Sequence, residues 1–451
     1  MTRPPTTRPR LLSLAWPLFI ELLLGIAVGI VGTALAARSS DTAGAAFALA
    51  NQVVAMLFIF FRIIGAGIGV VVSQSLGAGR RDTADALARA ALGASSWVGV
   101  VCALTALAGG AGLLRLLNAP VEVLPLALPF LQALAPALLL DAWNAAMAGV
   151  MRAHLRARDT LFVIVTMHLT HLALAVPLML GAGPLPAFGL VGFAWAMLAS
   201  RVLGVLLHWW LWRVRLSLVP RWGDVWRLPR QELAAMMHIG LPGAAENIAY
   251  RLSHTVSIAV VALMGAQALA TQAYASQLTY IGVVFGLATG FAVEILVGHM
   301  VGAGHFRQAQ TLVRRAMRRG LLISVAVSVL MALAGPRLLA LFTQDAQIVA
   351  LGATLLWCTV LIEPGRTFNL VVINALRATG DARYPVVAGA ASFVVVLAGG
   401  SWLLGHVLGF GLVGVWLAYA ADEWIRGLLM WRRWLSLGWV PHARAARRRL
   451  R

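Results

Sequence analysis

Seven acidic side chains lie inside long apolar stretches of the chain, where an ionised carboxylate is costly. A charge at the centre of a bilayer costs about 2.5–3.5 kcal/mol on insertion scales, so each acid needs a partner or a function. Burial favours the neutral form of a carboxyl and a bound cation favours the ionised form, so such a group can exchange a proton for a cation. The seven are Glu21, Asp141, Glu246, Glu294, Glu363, Asp422 and Glu423.

Glu21 and Glu246 stand at the same distance from a proline. Pro17 precedes Glu21 by four residues, and Pro242 precedes Glu246 by four. Four residues make about one helical turn, so each carboxyl lies roughly on the proline's face of its helix. One interpretation is that both acids simply hydrogen-bond a neighbouring helix. We favour the other, in which both belong to a site that binds a proton or a cation.

Glu363 and Arg366 lie one turn apart, with Pro364 between them. Proline removes a backbone donor and disturbs the helix, and this exposes carbonyl oxygens that can bind a cation or an organic ligand. We therefore predict that Glu363 exchanges protons or cations and that Arg366 lines a ligand cavity. The alternative is an ion pair that only stabilises the kink.

Other patterns that carry chemistry are weak or missing in the sequence. His168 and His171 are three residues apart, but no carboxylate or cysteine lies near them in sequence, so we predict no metal site. Cys102 and Cys358 both lie inside apolar runs and are predicted to be core residues. No Walker, Rossmann, HExxH or GxSxG motif occurs. We predict that the chain is not an enzyme and uses no cofactor.

The composition excludes a soluble protein. Hydrophobic residues make up 61% of the 451 residues and charged residues only 12%, whereas soluble domains carry about 25% charge. Disordered chains are poor in apolar residues and are excluded as well. The net charge of +20 comes from arginines in short polar gaps between apolar runs. Since these form no single basic stripe, we expect no nucleic-acid partner.

Twelve apolar stretches are long enough to cross a membrane, which takes about 20 residues. The first, from Leu11 to about Ala37, exceeds the length of a signal-peptide core and is predicted to be a retained helix. The predicted fold is an all-α polytopic membrane protein with twelve transmembrane helices. The stretches centre near residues 24, 60, 102, 136, 170, 200, 250, 285, 328, 361, 395 and 422.

The arginines of the polar gaps predict the orientation. If the N-terminus is cytoplasmic, 28 arginines fall on the cytoplasmic side and only Arg38, Arg115 and Arg337 fall outside. Basic residues concentrate in cytoplasmic loops of membrane proteins. We therefore expect both termini to be cytoplasmic.

The two halves of the sequence repeat each other. The longest polar connection, Trp212 to Leu233, divides the spans six and six, so the repeats enter the membrane in the same direction. We predict an N-terminal six-helix lobe (1–212), a cytoplasmic linker (213–232), a C-terminal six-helix lobe (233–436) and a basic cytoplasmic tail (437–451). A spacing of 225 relates Pro17 to Pro242, Glu21 to Glu246, Gln52 to Gln277, Gly77 to Gly302, Arg89 to Arg314, Asn144 to Asn369 and Arg152 to Arg377. GLVGFAWA from 189 returns as GLVGVWLA from 411, at a spacing of 222.

The repeat adds three residues to the predicted ligand cavity, which already contains Arg366. Asn144 and Asn369 are an uncharged matching pair suited to hydrogen bonds with a ligand, although a packing role stays open. Asp141 aligns with Arg366 at the same spacing, so opposite charges could meet across the halves.

Prolines and glycines mark the predicted irregularities of the helices. We predict kinks at Pro17, Pro242 and Pro364. Gly77 and Gly302 open GAG sequences that are predicted to form equivalent helix-ending turns, because glycine adopts left-handed cap conformations at low cost.

The chain resembles the multidrug and toxic compound extrusion (MATE) family of transporters over nearly its whole length. The resemblance rests on LAWPLFIELLLG in the first span, ILVGHMVGAG from Ile295, EPGRTFNLVVINALRATGDARYP from Glu363 and LVGVWLAYAADEWIRGLLMW from Leu412. It implies two six-helix bundles that form a V around a central cavity, in a bacterial plasma (inner) membrane. Many members carry an aspartate fifteen residues after the first-helix proline, where this chain has Gly32.

The function implied by this resemblance is antiport. We expect export of amphipathic or cationic organic compounds in exchange for sodium ions or protons, with Glu246 and Glu363 as the main coupling residues and Glu21 as a secondary one. The expected partners are these small organic substrates and membrane lipids, and we expect a monomer. The alternative is a flippase for a lipid-linked precursor, but a flippase cavity should be strongly cationic. The embedded residues here are seven acids and five arginines.

Overall fold

The computed structural model describes residues 11–181 and 186–449, without the side chains at 59, 62, 63 and 66. The basic N-terminal flank at 3–10 lies outside these ranges. Across them the structure consists of helices joined by short connections. The helices are α1 (Leu11–Ser39), α2 (Asp41–Gly77), α3 (Arg81–Leu116), α4 (Leu124–Ala153), α5 (Ala157–Leu180), α6 (Gly189–Leu211), α7 (Arg230–Ala262), α8 (Ala266–Ala303), α9 (Phe306–Leu339), α10 (Ala346–Ala378), α11 (Arg383–Ser392), α12 (Gly399–Trp402), α13 (Gly411–Leu435) and α14 (Val440–Arg449).

Each of the twelve predicted spans coincides with one long helical segment, which confirms the predicted fold class. The eleventh span is composite: α11 and α12 are continued by π-helical turns at Phe393–Ala398 and Leu403–Val407. Among the described residues, ten segments are apolar enough to be recognised as spans from hydropathy alone. The other two are α7, which carries Glu246, and α13, which carries Asp422, Glu423 and Arg426.

Two glycine turns end α2 and α8 in equivalent ways. Gly79 and Gly304 both have a positive φ, +73° and +80°, which glycine adopts without the strain that a Cβ would cause. The backbone N–H of Arg80 donates to Ser75 O at 2.9 Å, and that of His305 donates to Met300 O at 2.7 Å. The predicted turns begin at Gly77, the last residue of α2, and at Gly302, in the last turn of α8.

The described chain forms two compact units. The N-terminal unit contains residues 20–76 and 80–240, and the C-terminal unit contains α1 as far as Phe19, Gly77–Gly79 and the chain from Leu241 onward. In the N-terminal unit, Phe47 packs against Phe130 and Phe193 at ring-centroid distances of 5.5 and 5.1 Å. In the C-terminal unit, α10 packs against α8, α9 and α13. Helix α10 therefore organises the unit that holds most of the candidate site.

The predicted linker and tail both fold onto neighbouring helices. Two backbone oxygens of the segment after α6 accept hydrogen bonds from side chains of α3. Leu216 O accepts from Arg81 at 2.5 Å, and Trp226 O accepts from Trp97 Nε1 at 3.0 Å. The basic tail contains α14, which is anchored by the buried Trp439 and Ala443. The exact lobe boundaries at 212/213, 232/233 and 436/437 stay predictions.

Candidate functional site

Glu21 and Glu246, the two repeat-related acids, each form an ion pair with an arginine of the same unit. Arg152 Nη1 lies 2.5 Å from Glu21 Oε1, and Arg377 Nη2 lies 2.5 Å from Glu246 Oε2. Arg152 and Arg377 are themselves 225 residues apart, so both repeats build the same pair. Both belong to the 28 arginines that the orientation prediction places on the cytoplasmic side, and they lie in the last turns of α4 and α10. The remaining Glu21 Oε2 is buried without a hydrogen-bond partner.

Glu363, Arg366 and Asn369 lie along one side of α10 and meet Glu423 of α13. Arg366 Nη1 donates to Glu363 Oε1 at 2.6 Å, and Arg366 Nε donates to Glu423 Oε1 at 3.0 Å. Asn369 Nδ2 donates to the other oxygen, Glu423 Oε2, at 3.0 Å. Arg366 is thus held between two carboxylates, and neutralising one of them leaves the other as its main electrostatic partner.

The network continues along α13. Arg426 Nη2 lies 2.6 Å from Asp422 Oδ2 and 2.9 Å from Glu423 Oε2. Ser392 Oγ donates to Asp422 Oδ1 at 2.6 Å, and the Arg426 guanidinium lies 4.5 Å from the centre of the Phe393 ring. With Glu363 and Arg366, this gives three buried carboxylates and two guanidinium groups. Such a cluster has one negative charge in excess when all its members are ionised, which suits binding of a cation or a proton.

The N-terminal unit contains the same ion pair with its charges exchanged. Arg201 Nε lies 2.5 Å from Asp141 Oδ1. Asp141 is repeat-related to Arg366 at a spacing of 225, and Arg201 is related to Glu423 at the spacing of 222 that relates α6 to α13. The charges of Asp141 and Arg366, which we expected to meet across the halves, are therefore each compensated within their own unit.

Asn144, the repeat partner of Asn369, takes part in hydrogen bonds of the N-terminal unit. Its Nδ2 donates to the backbone oxygen of Arg201 at 3.0 Å, and its Oδ1 lies 3.0 Å from Nδ1 of the buried His208. Asn144 of α4 therefore braces α6, and Asn369 of α10 braces α13, the repeat equivalent of α6. His208 was missed at the sequence level, since a single histidine in an apolar run carries no pattern.

The three prolines lie inside helices as predicted from their positions, Pro17 in α1, Pro242 in α7 and Pro364 in α10. Pro364 has no N–H, so the carbonyl of Val360, four residues earlier, lacks its usual helical donor. This leaves an additional oxygen acceptor one turn before the charged network.

Gly32, which stands where many family members carry an aspartate, lies directly against two aromatic rings. A Cβ at this position would lie 2.7 Å from Phe47 Cζ and 2.9 Å from Phe193 Cζ. The aromatic cluster of the N-terminal unit thus occupies the space that an aspartate would need. In the described part of the chain, no three His, Cys, Asp or Glu side chains come together as metal ligands.

Comparisons with known proteins agree with this architecture. The MatE family model matches residues 17–176 and again residues 242–402, that is, once in each repeat. An uncharacterized transporter, YisQ, of Bacillus subtilis (strain 168) is 32% identical over 435 residues, with 96% of each chain covered. A probable multidrug resistance protein NorM of Thermotoga maritima is 23% identical, covering 99% of this chain and 96% of its own.

Solved structures show the same fold at lower identity. A crystal structure of MATE in the bent conformation matches with a TM-score of 0.87 at 20% identity, covering 97% of this chain and 96% of its own. An outward-facing MATE-family multidrug resistance transporter matches with a TM-score of 0.85 at 21% identity, covering 95% of this chain and 96% of its own. The family model, which matches more than half of the chain, and the relative that is 32% identical establish that the chain belongs to the MATE family of multi-pass membrane transporters.

Proposed function

We propose that the protein is a secondary antiporter that exports amphipathic or cationic organic compounds in exchange for sodium ions or protons by alternating access. The observation that carries this proposal is the buried network of three carboxylates and two guanidinium groups on α10 and α13. Its excess of acid attracts cations. A flippase for a phosphate-bearing lipid would need an excess of arginine at its site, so this network favours antiport.

Coupling is assigned to the C-terminal unit, at Glu246 and Glu363, with Glu21 as a secondary group. Glu363 combines a carboxylate with the carbonyl freed by Pro364, and such oxygen ligands suit sodium, whereas a buried carboxylate alone suits a proton. Neutralising Glu363 by either ion weakens its hold on Arg366, which is then drawn toward Glu423.

The decisive test is transport in proteoliposomes with sodium and proton gradients imposed independently. Glu246→Gln and Glu363→Gln keep the side-chain shape but remove the charge, so gradient-driven export of an organic cation should fall at least about tenfold. Asp159→Asn is the control, because Asp159 lies outside this network, in a longer and more exposed pair with Arg156 at 3.6 Å. The assignment is refuted if both glutamine variants insert normally and still export at the wild-type rate under either gradient.

The orientation is proposed from the arginine distribution, with both termini in the cytoplasm of a bacterium and the protein in the inner membrane. A reporter that is active only in the cytoplasm, fused after Arg451, is expected to be active. Activity of a periplasmic reporter at that position would overturn the proposed topology.

A further inference from the structure

The first part of α9, residues 306–320, carries a concentration of positive charge that the charged network of the unit does not use. It contains five arginines and no acidic residue. All five side chains are exposed, and none of them takes part in the ion pairs found among the described residues. The five are Arg307, Arg314, Arg315, Arg318 and Arg319.

Arg315, Arg318 and Arg319 lie on one side of α9, because residues three and four apart are neighbours on a helix surface. We call these three residues the α9 arginine face. Like charges at this spacing repel each other and destabilise the helix. A bound anion would remove this repulsion, so the face favours a negatively charged partner.

The N-terminal repeat has no such face at the equivalent place. At a spacing of 225, the three arginines correspond to Ala90, Gly93 and Ala94 of α3, all of which are buried. The segment after α6 covers them: a Cβ added to Gly93 would collide with the backbone oxygen of Arg227 and lie 2.9 Å from that of Asp224. One repeat therefore covers this face with its own chain, whereas the other leaves it exposed and places three charges on it.

The net charge of the two segments differs in the same sense. Residues 81–95, the repeat equivalent of 306–320, contain Arg81 and Arg89 together with Asp82 and Asp85, so their charges cancel. The segment of α9 has its five arginines without any acid. Because the two repeats share one helix arrangement, this excess of arginine is not a requirement of the fold.

The α9 arginine face continues directly into an exposed apolar face of the same helix. Leu322 and Ile323 follow Arg318 and Arg319 by four residues and are 70% and 46% exposed. In a multi-pass membrane protein, an exposed apolar helix face lies against the acyl chains of the lipids. The arginines therefore lie one turn away, where the acyl chains end and the head groups begin.

Helix α14 brings further arginines to the same end of α9. Trp439, just before α14, packs edge to face against Phe306 at a ring-centroid distance of 5.9 Å. The guanidinium carbon of Arg447 lies 2.6 Å from the position that a Cβ of Gly304 would take, at the turn between α8 and α9. The exposed arginines of α14 are Arg444, Arg448 and Arg449.

We propose that the α9 arginine face binds the phosphate-bearing head groups of anionic phospholipids, with the exposed arginines of α14 adding to the attraction. A guanidinium group presents two parallel N–H donors that match the oxygens of a phosphate. Clusters of basic residues beside a membrane helix attract anionic lipids. The adjoining apolar face accounts for the acyl chains of the same lipids. This role is separate from the proposed antiport and does not depend on it.

Lipid binding is measured by native mass spectrometry of the purified full-length protein in detergent. The protein is titrated with phosphatidylglycerol and, separately, with phosphatidylcholine of the same acyl chains. The wild type should bind phosphatidylglycerol about tenfold more tightly. The triple variant Arg315→Gln, Arg318→Gln, Arg319→Gln should lose about tenfold in affinity for phosphatidylglycerol and keep its affinity for phosphatidylcholine.

The matched control removes three exposed arginines from the N-terminal unit, in the triple variant Arg213→Gln, Arg221→Gln, Arg230→Gln. Its affinity for phosphatidylglycerol should stay within about twofold of the wild type. If the α9 triple variant does not accumulate, the double variant Arg315→Gln, Arg319→Gln takes its place and should lose at least about threefold. Thermal unfolding gives a second readout, because a lipid that binds the folded protein raises its melting temperature. Phosphatidylglycerol should raise that of the wild type and of the control more than that of the α9 variant.

A loss of phosphatidylglycerol binding confined to the α9 variant supports the proposal. Equal affinity of the wild type for the two lipids overturns it, and so does an equal loss in the control, because any exposed arginine would then serve. Displacement of phosphatidylglycerol by glycerol 3-phosphate at a similar concentration also overturns it, since the site would then bind free phosphate esters. None of these measurements involves a gradient or transport, so their outcome is independent of the proposed antiport.

Discussion

The acid and the arginine occupy opposite positions in the repeat-related pairs Asp141–Arg201 and Arg366–Glu423. We therefore predict that the two charges of the N-terminal pair can be exchanged. In Asp141→Asn, the Arg201 guanidinium, which lies 2.5 Å from the lost carboxylate, keeps a buried charge without compensation. Removing one partner of a buried pair costs about 3–5 kcal/mol. Because the two side chains are 8% and 14% exposed, we expect about 3 kcal/mol, a change of roughly 150-fold in the folding equilibrium.

The reversed pair Asp141→Arg with Arg201→Glu copies the arrangement of the C-terminal unit and should recover most of this loss. The hydrogen bond from Asn144 does not oppose the reversal, since its acceptor is the backbone oxygen of residue 201. Each single reversal places two like charges together and should be at least as damaging as Asp141→Asn.

The assay is reversible unfolding in mixed detergent micelles, followed by tryptophan fluorescence, for the two single variants, the double variant and the wild type. The coupling energy of this double-mutant cycle should be about 3 kcal/mol or more in favour of the double variant. Asp159→Asn, in the longer and more exposed pair with Arg156, is the control and should cost less than about 1 kcal/mol. A double variant no more stable than its weaker single parent would refute the reasoning.

Three further predictions concern single positions. Gly79→Ala should cost about 1–2 kcal/mol in thermal unfolding because φ is +73° and nothing else lies within 4 Å of the new Cβ; an unchanged melting temperature would contradict this. Trp439→Ala should cost about 3–5 kcal/mol and open α14 to trypsin, since Trp439 is fully buried and stacks on Trp434 at 4.6 Å; Trp357→Ala, at a half-exposed site, is the control. Burial lowers the pKa of His154, just beyond the end of α4, below its ordinary value of 6.5. As the pH falls, the unfolded chain takes up this proton at a higher pH than the folded protein does, so the free energy of unfolding should decrease below about pH 6.5. His154→Gln should reduce that decrease. Identical pH profiles for both proteins would exclude this contribution.

The sequence predicted the twelve spans because the membrane acts on each helix separately. A stretch long and apolar enough to cross the bilayer is recognisable from its own residues. The spacing of 225 residues was likewise recognisable from the positions of residues such as Pro17 and Pro242 alone. It related Glu21 to Glu246 without any knowledge of the arginines that pair with them.

The partners of the acids depended on the tertiary structure. From the sequence, Arg152 and Arg377 are assigned to cytoplasmic gaps, because each follows a long apolar run. Their partners, Glu21 and Glu246, lie 131 residues earlier in the chain. A local pattern can show that a buried carboxylate needs compensation, but only the packing of distant helices decides which arginine supplies it.

The small cavity that Phe19, Gly282, Phe285 and Glu363 help to line could not be predicted from the sequence. Gly282 is an unremarkable residue of a long apolar helix until α8 packs against α10 and its missing side chain leaves room for Glu363 Oε2. A free volume is a property of several helices at once, since it depends on what no neighbouring side chain fills. The amino-acid sequence determined that a charge lies within the membrane helices, and the tertiary structure decided that it faces an open, aromatic-lined space.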